Sequence, residues 1–85
     1  MFQSGNFSMT ISIDLRLFAT LQKFTPRSSG AHIIAAGTSV RTLVQQLGIP
    51  EIKAKLIFIN NLKATLDSVL KDGDRLGIFP PVGGG

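Results

Sequence analysis

The chain contains no cysteine. That excludes disulfides, thiolate metal sites and a cysteine nucleophile. It also fits a reducing compartment, so a cytoplasmic location is expected. There is one histidine, His32, beside Ile33 and Ile34. It reads as a strand-edge residue with a structural hydrogen bond, and no serine has a His/Asp partner set near it in sequence. No apolar run approaches the ~20 residues of a membrane helix, so no membrane partner is expected. Residues 1–8 lack the basic and apolar regions of a signal peptide. They read as a flexible N-terminal extension, with Met9 as a natural start. Charged residues make up only 16% and hydrophobic ones 44% of the 85 residues, which is the composition of one globular domain.

Other sites are missing as well. The net charge is +4, from nine Lys/Arg against five Asp/Glu. The cations are spread singly, without a basic run, so they read as a solvated surface rather than a nucleic-acid footprint. Ser29-Gly30 and Gly37-Thr38 lack the spacing and lysine of a phosphate loop. Asp72 and Asp74 flank a glycine, but no third oxygen ligand lies close, so they read as turn residues and no metal site is expected. Phenylalanines occur at Phe2, Phe7, Phe18, Phe24, Phe58 and Phe79. Their spread reads as core filling and not as a stacking platform.

Several elements can be placed in order. From Met9 to Phe18, Ile11, Ile13, Leu15 and Leu17 alternate with polar residues, the period of a strand with one buried face. Phe18 to Phe24 breaks that alternation and reads as a short helical or irregular link. His32 to Ala36 is a second strand, paired as a hairpin with the first. Val40, Leu43, Val44 and Leu47 form one stripe of a helix. Thr38 or Ser39 caps it, Gly48 ends it and Pro50 blocks its continuation. Residues 50–55 read as a connector with one helical turn. Leu56 to Ile59 is a continuous apolar run, expected to be a strand buried on both faces. Asn60-Asn61 suits a tight turn into a short strand, Leu62 to Ala64. Asp67 to Leu70 reads as a turn packed on the sheet by Val69 and Leu70. Asp72-Gly73 leads into a last strand, Asp74 to Phe79, with Leu76 and Ile78 on one face and Phe79 on the other.

Pro80-Pro81-Val82-Gly83-Gly84-Gly85 ends the sequence. Two prolines stop a strand, because they lack the amide donor. Glycines without side chains make a thin tail suited to a narrow channel, so residues 80–85 read as a flexible tail after a domain at 9–79.

The stretch from Leu70 to Gly85 resembles the ending of the MoaD/ThiS family of ubiquitin-like sulfur carriers. The match is an L-x-D-G-D turn, a short strand, F-P-P-V, one variable residue and a terminal G-G. It is closest to the branch that forms the small subunit of molybdopterin synthase. Arg16-Leu17-Phe18-Ala19-Thr20-Leu21 is similar to the family's R-L-F-A-x-L. The resemblance runs from Met9 to Gly85, with the loop Thr25 to Ala31 outside it. It implies an α+β, ubiquitin-like β-grasp fold: a mixed sheet of four to five strands with one main helix across it, and the first and last strands adjacent at its centre. The implied function is a sulfur carrier, not catalytic alone.

In such a carrier Gly85, preceded by Gly84, is adenylated and converted to a thiocarboxylate. Phe79, Pro80, Pro81, Val82 and Gly83 are the implied partner-binding residues. The implied partners are a ubiquitin-activating-type adenylyltransferase (MoeB/ThiF-like) and the molybdopterin synthase large subunit (MoaE-like). ATP is used by the activating enzyme, and no cofactor is held stably. Lys71 and Arg75 are basic where an acidic residue often follows this turn in the family. A carrier for thiamine, tRNA thiolation, cysteine or a tungsten-pterin product shares the same fold and tail. So does a protein modifier joined through Gly85 to lysine.

Overall fold

A computed structural model describes residues 9–26 and 31–81. Five strands, β1 (Thr10–Leu17), β2 (Ala31–Ala35), β3 (Leu56–Ile59), β4 (Leu62–Ala64) and β5 (Arg75–Phe79), form one sheet in the order β2-β1-β5-β3-β4. β1 and β5 are parallel, and the remaining pairings are antiparallel. Among the described residues one α-helix, α1 (Val40–Leu47), connects β2 to the second half of the sheet. This is the β-grasp arrangement, with the parallel pair inside the sheet and β5 as its middle strand.

The polar/apolar pattern explains the packing. Ile13, Leu15 and Leu17 from β1 are buried with Leu76 and Ile78 from β5 and with Val40, Leu43 and Val44 from α1. Leu47 is only partly buried at the end of the helical stripe. Ser39 caps the helix, its hydroxyl accepting from the Thr42 amide at 3.2 Å. Gly48 closes it at φ 81°, in the left-handed region that ends helices without a Cβ penalty. Asn60 and Asn61 take φ 54° and 70°, as a tight β3–β4 hairpin requires. The links Ala19–Phe24 and Glu51–Lys53 are short 3-10 turns.

Three expectations need correction. Leu56–Ile59 is not buried on both faces: only Ile57 is buried, because α1 covers one side of the sheet and no described element covers the other. Val69 is 53% exposed and bridges Ser39 through its backbone, while Leu70 is buried and Leu66 packs partly against the core. No described phenylalanine belongs to the buried core; only Phe24 packs against its margin. Strand limits shift by a residue: Met9 and Phe18 flank β1, β2 runs from Ala31 to Ala35, and Asp74 precedes β5.

Candidate functional site

β5 alternates sharply. Leu76 and Ile78 lie under α1, while Arg75, Gly77 and Phe79 point to the open side of the sheet. Phe18 joins them from the end of β1. Its amide donates to the Ile78 carbonyl at 3.1 Å, extending the β1/β5 ladder by one residue. Its ring stacks on Phe79 with centroids 4.2 Å apart and planes within 4°. Phe58 of β3 meets Phe79 edge-to-face at 5.9 Å and 89°. These three rings form a cluster on the open side of the sheet, packed on one another, which the core-filling reading of the phenylalanines did not place there.

Gly77 makes the stack fit. A Cβ there would stand 3.3 Å from Cε2 of Phe18, tight enough that the ring would have to give by a few tenths of an ångström. Ala19 then turns the chain at φ 53°, and Leu21 drops into the core. Thus the segment from Arg16 to Leu21 serves to lay Phe18 on the sheet. A shallow depression of about 460 Å³ opens beside the rings, lined by Arg16, Asn61 and Arg75 among others.

The expected partner-binding residues Phe79, Pro80 and Pro81 lie at one end of this face, each half-buried. The Phe79 carbonyl accepts from the Lys55 amide at 3.0 Å, the last bond of the ladder. Pro80 cannot donate, so the pairing stops there. Val82, Gly83, Gly84 and Gly85 lie outside the described residues.

The other end of β5 is fixed by the Leu70–Asp74 turn. Leu70 is buried, and Gly73 takes φ 85°. Asp72 accepts from the Ser12 amide at 2.8 Å, while the Gly73 amide donates to the Ser12 carbonyl at 2.8 Å. Asp74 accepts from the Lys71 amide at 2.8 Å and from Nδ2 of Asn60 at 2.9 Å. Oδ1 of Asn60 in turn accepts from the Arg75 amide at 2.9 Å. Both carboxylates therefore act as turn residues, as expected, and no group of metal-ligating side chains occurs among the described residues. His32 is half-buried opposite Ile13, and its side chain forms no hydrogen bond among the described residues.

The comparisons bear on what this arrangement is for. The model of the ThiS family matches residues 15–85. The chain belongs to the ThiS family. Among curated proteins no sequence matches it. The solution structure of the Haloferax volcanii HVO 2177 protein is 22% identical with TM-score 0.70, covering 89% of this chain and 88% of that one. SAMP1 from Haloferax volcanii is 24% identical with TM-score 0.58, over 87% of this chain and 99% of that one. The proposed molybdopterin converting factor subunit 1 of Pyrococcus furiosus is 25% identical with TM-score 0.58, over 85% and 99%. The fold and family together make this a ubiquitin-like sulfur carrier.

In this ThiS-family chain the carboxylates near the sheet are committed to internal contacts. Asp14 holds Arg16 through two contacts, at 3.1 and 3.3 Å. The hydrogen bond and charge of Asp14 raise the Arg16 pKa above its ordinary value. On the far side Arg41 pairs with Asp67 and, at 3.5 Å, with Glu51. Its pKa is raised chiefly by the hydrogen bond to Asp67. No described helix is long and apolar enough to cross a membrane.

Phe18 and Phe58 are the members of this aromatic face that sequence reasoning did not place there. Two signals could have found them. Phe18 continues the β1 alternation on the outward parity. Gly77 interrupts an apolar strand, and a strand glycine often marks the close approach of another group.

Proposed function

We propose that this carrier is the small subunit of a molybdopterin synthase, and that its reactive group is the main-chain carboxylate of Gly85. The reading is carried by the continuity of Phe79 with Pro80-Pro81: the aromatic face and the root of the tail are one surface. A free carboxylate is a poor electrophile. ATP converts it to an acyl-adenylate with release of pyrophosphate, and a sulfur nucleophile then displaces AMP to leave a thiocarboxylate. Gly84 and Gly85 have no Cβ, so a narrow channel can close around them. The protein supplies no acid or base to this chemistry; the activating enzyme does, and the carrier supplies position.

Phe79, Pro80, Pro81, Val82 and Gly83 dock first on a ThiF- or MoeB-like adenylyltransferase and then on the large synthase subunit. The F-P-P-V-x-G-G ending favours the molybdopterin branch. A cytoplasmic setting accords with the absence of cysteine.

The test is the intact mass after incubation with ATP, a sulfur source and the activating enzyme of the same organism. An oxygen-to-sulfur increase confined to the C-terminal peptide is expected. With a large synthase subunit, the loaded carrier should then convert a pterin precursor to its dithiolene. Loading without that transfer would assign the carrier to another sulfur acceptor. Lysine adducts of Gly85 without loading would identify a protein modifier. Deleting Gly85 should abolish loading and leave the melting temperature nearly unchanged; a large fall would mean that the tail is structural.

A further inference from the structure

All five side-chain carboxylates of the chain already have contacts. Asp14 holds Arg16, Glu51 and Asp67 hold Arg41, and Asp72 and Asp74 accept backbone amides. Lys23 lies 5.4 Å over the ring of Phe24. Among the described residues, Lys53, Lys55, Lys63, Lys71 and Arg75 are left without a carboxylate within ion-pair distance. Lys71 belongs to the turn before β5; the other four fall in two pairs, Arg75 and Lys63 by the aromatic rings and Lys53 and Lys55 by Pro81.

Their placement is not random. Arg75 lines the depression beside the aromatic rings. Lys63 stands opposite Phe58 in the β3/β4 register. Lys53 and Lys55 border a second depression with Ile52 and Pro81, where the chain leaves β5. Ile52 is 78% exposed there, so an apolar contact sits inside this cationic edge. Arg75 and Lys63 thus border the aromatic face, and Lys53 and Lys55 border the root of the tail. Docking an uncharged surface here would strip them of water without compensation, whereas carboxylates opposite them would speed encounter and fix orientation.

Resting on the sulfur-carrier reading above, we infer that the enzyme that activates the tail presents an apolar socket with an acidic rim, matched to Lys53, Lys55, Lys63 and Arg75. A protein suits this surface better than a nucleic acid. Phe18 and Phe79 cover one face of each other's ring, which removes open faces that bases would stack on. The apolar centre also continues directly into Pro80 and Pro81.

The experiment is ATP–pyrophosphate exchange with the activating adenylyltransferase of the same organism, measuring KM and kcat for the full-length carrier. Two double variants, Arg75→Glu with Lys63→Glu and Lys53→Glu with Lys55→Glu, should each raise KM on the order of tenfold with little change in kcat, since rim charges act mainly on encounter. Arg75→Lys with Lys63→Arg should restore the wild-type KM. Raising salt from about 0.01 to about 0.15 M shortens the screening length from about 30 to about 8 Å and should raise the wild-type KM. The reversed variants should respond little. Unchanged melting temperatures establish that the variants fold, and neutral glutamines at the same positions should give an intermediate KM.

If the wild type supports exchange but neither reversal nor salt moves KM, the acidic rim is refuted and the sulfur-carrier reading stands. If the wild type supports no exchange with an enzyme active on another carrier, both fall. Tighter binding to single-stranded oligothymidylate than to the enzyme at equal salt would overturn the inference in favour of a nucleic acid.

Discussion

Asp74→Ala isolates the turn that sets the start of β5. The Asp74 side chain accepts from the Lys71 amide at 2.8 Å and from Asn60 at 2.9 Å. The backbone bonds from Asp74 to Lys71 and from Asp14 to Asp74 survive the change. A hydrogen bond to a charged acceptor contributes about 1.5–3 kcal/mol. Both donors lie where water can replace the carboxylate, so the lower limit applies and the loss should be about 2–3 kcal/mol. For a domain of this size that corresponds to a fall of about 8–24 °C in melting temperature, at about 4–8 °C per kcal/mol. Asp74→Asn should fall between wild type and Asp74→Ala. Its amide oxygen can still accept from Lys71, but its amide nitrogen would face Nδ2 of Asn60. Asn60 cannot simply flip, because its Oδ1 already accepts from Arg75. Thermal unfolding followed by circular dichroism, with a denaturant titration, measures both variants. A fall of less than about 3 °C in Asp74→Ala would show that the backbone bonds alone hold the turn, and the side-chain argument would fail.

Two further substitutions separate the sides of the sheet. Leu43 is 0% exposed, so Leu43→Ala should destabilise the domain by about 2–5 kcal/mol, read by denaturant unfolding; an unchanged midpoint would place the helix face elsewhere. Gly77→Val should displace Phe18 from Phe79 and raise KM in the activation assay. Its stability should stay within about 1 kcal/mol of wild type, because strand propensity offsets the lost ring contact; an unaltered KM would mean that the stack plays no part in docking.

The sequence showed much of this fold because its two periods are clean. The alternation from Ile11 to Leu17 and the 3-4 spacing from Val40 to Leu47 each mark one buried face, and both faces are found where that spacing puts them. Gly48, Asn60 and Asn61 were legible for a different reason: each adopts a positive φ that few other residues tolerate. The apolar run Leu56–Ile59 misled because periodicity cannot separate burial under a helix from partial cover by neighbouring aromatic rings. Phe58 looked like core for that reason, although it lies on the open side of the sheet. Phe18 was hidden because its partner Phe79 is 61 positions away and only the parallel β1/β5 pairing brings them together. The aromatic face beside Pro80 and Pro81 is likewise a product of topology.

The division of labour in β5 comes from that topology. As the middle strand it is bonded on one side to β1 and on the other to β3, so its register is set by two ladders and by the Leu70–Asp74 turn. Its inward residues, Leu76 and Ile78, are 0% exposed and belong to the core. Its outward residues, Arg75, Gly77 and Phe79, contribute little to that core and are free to serve recognition. A tail rooted in an edge strand would leave the partner to order both the tail and its base. Here the base is already held by a strand that is paired on both sides. If the tail docks as proposed, the ladder holds the chain up to Phe79, and Pro80 and Pro81 reduce the conformational freedom lost beyond it. The same strand carries stability on its inward face and leaves its outward face open, so a substitution at Gly77 is expected to spare the stability that Leu43→Ala removes.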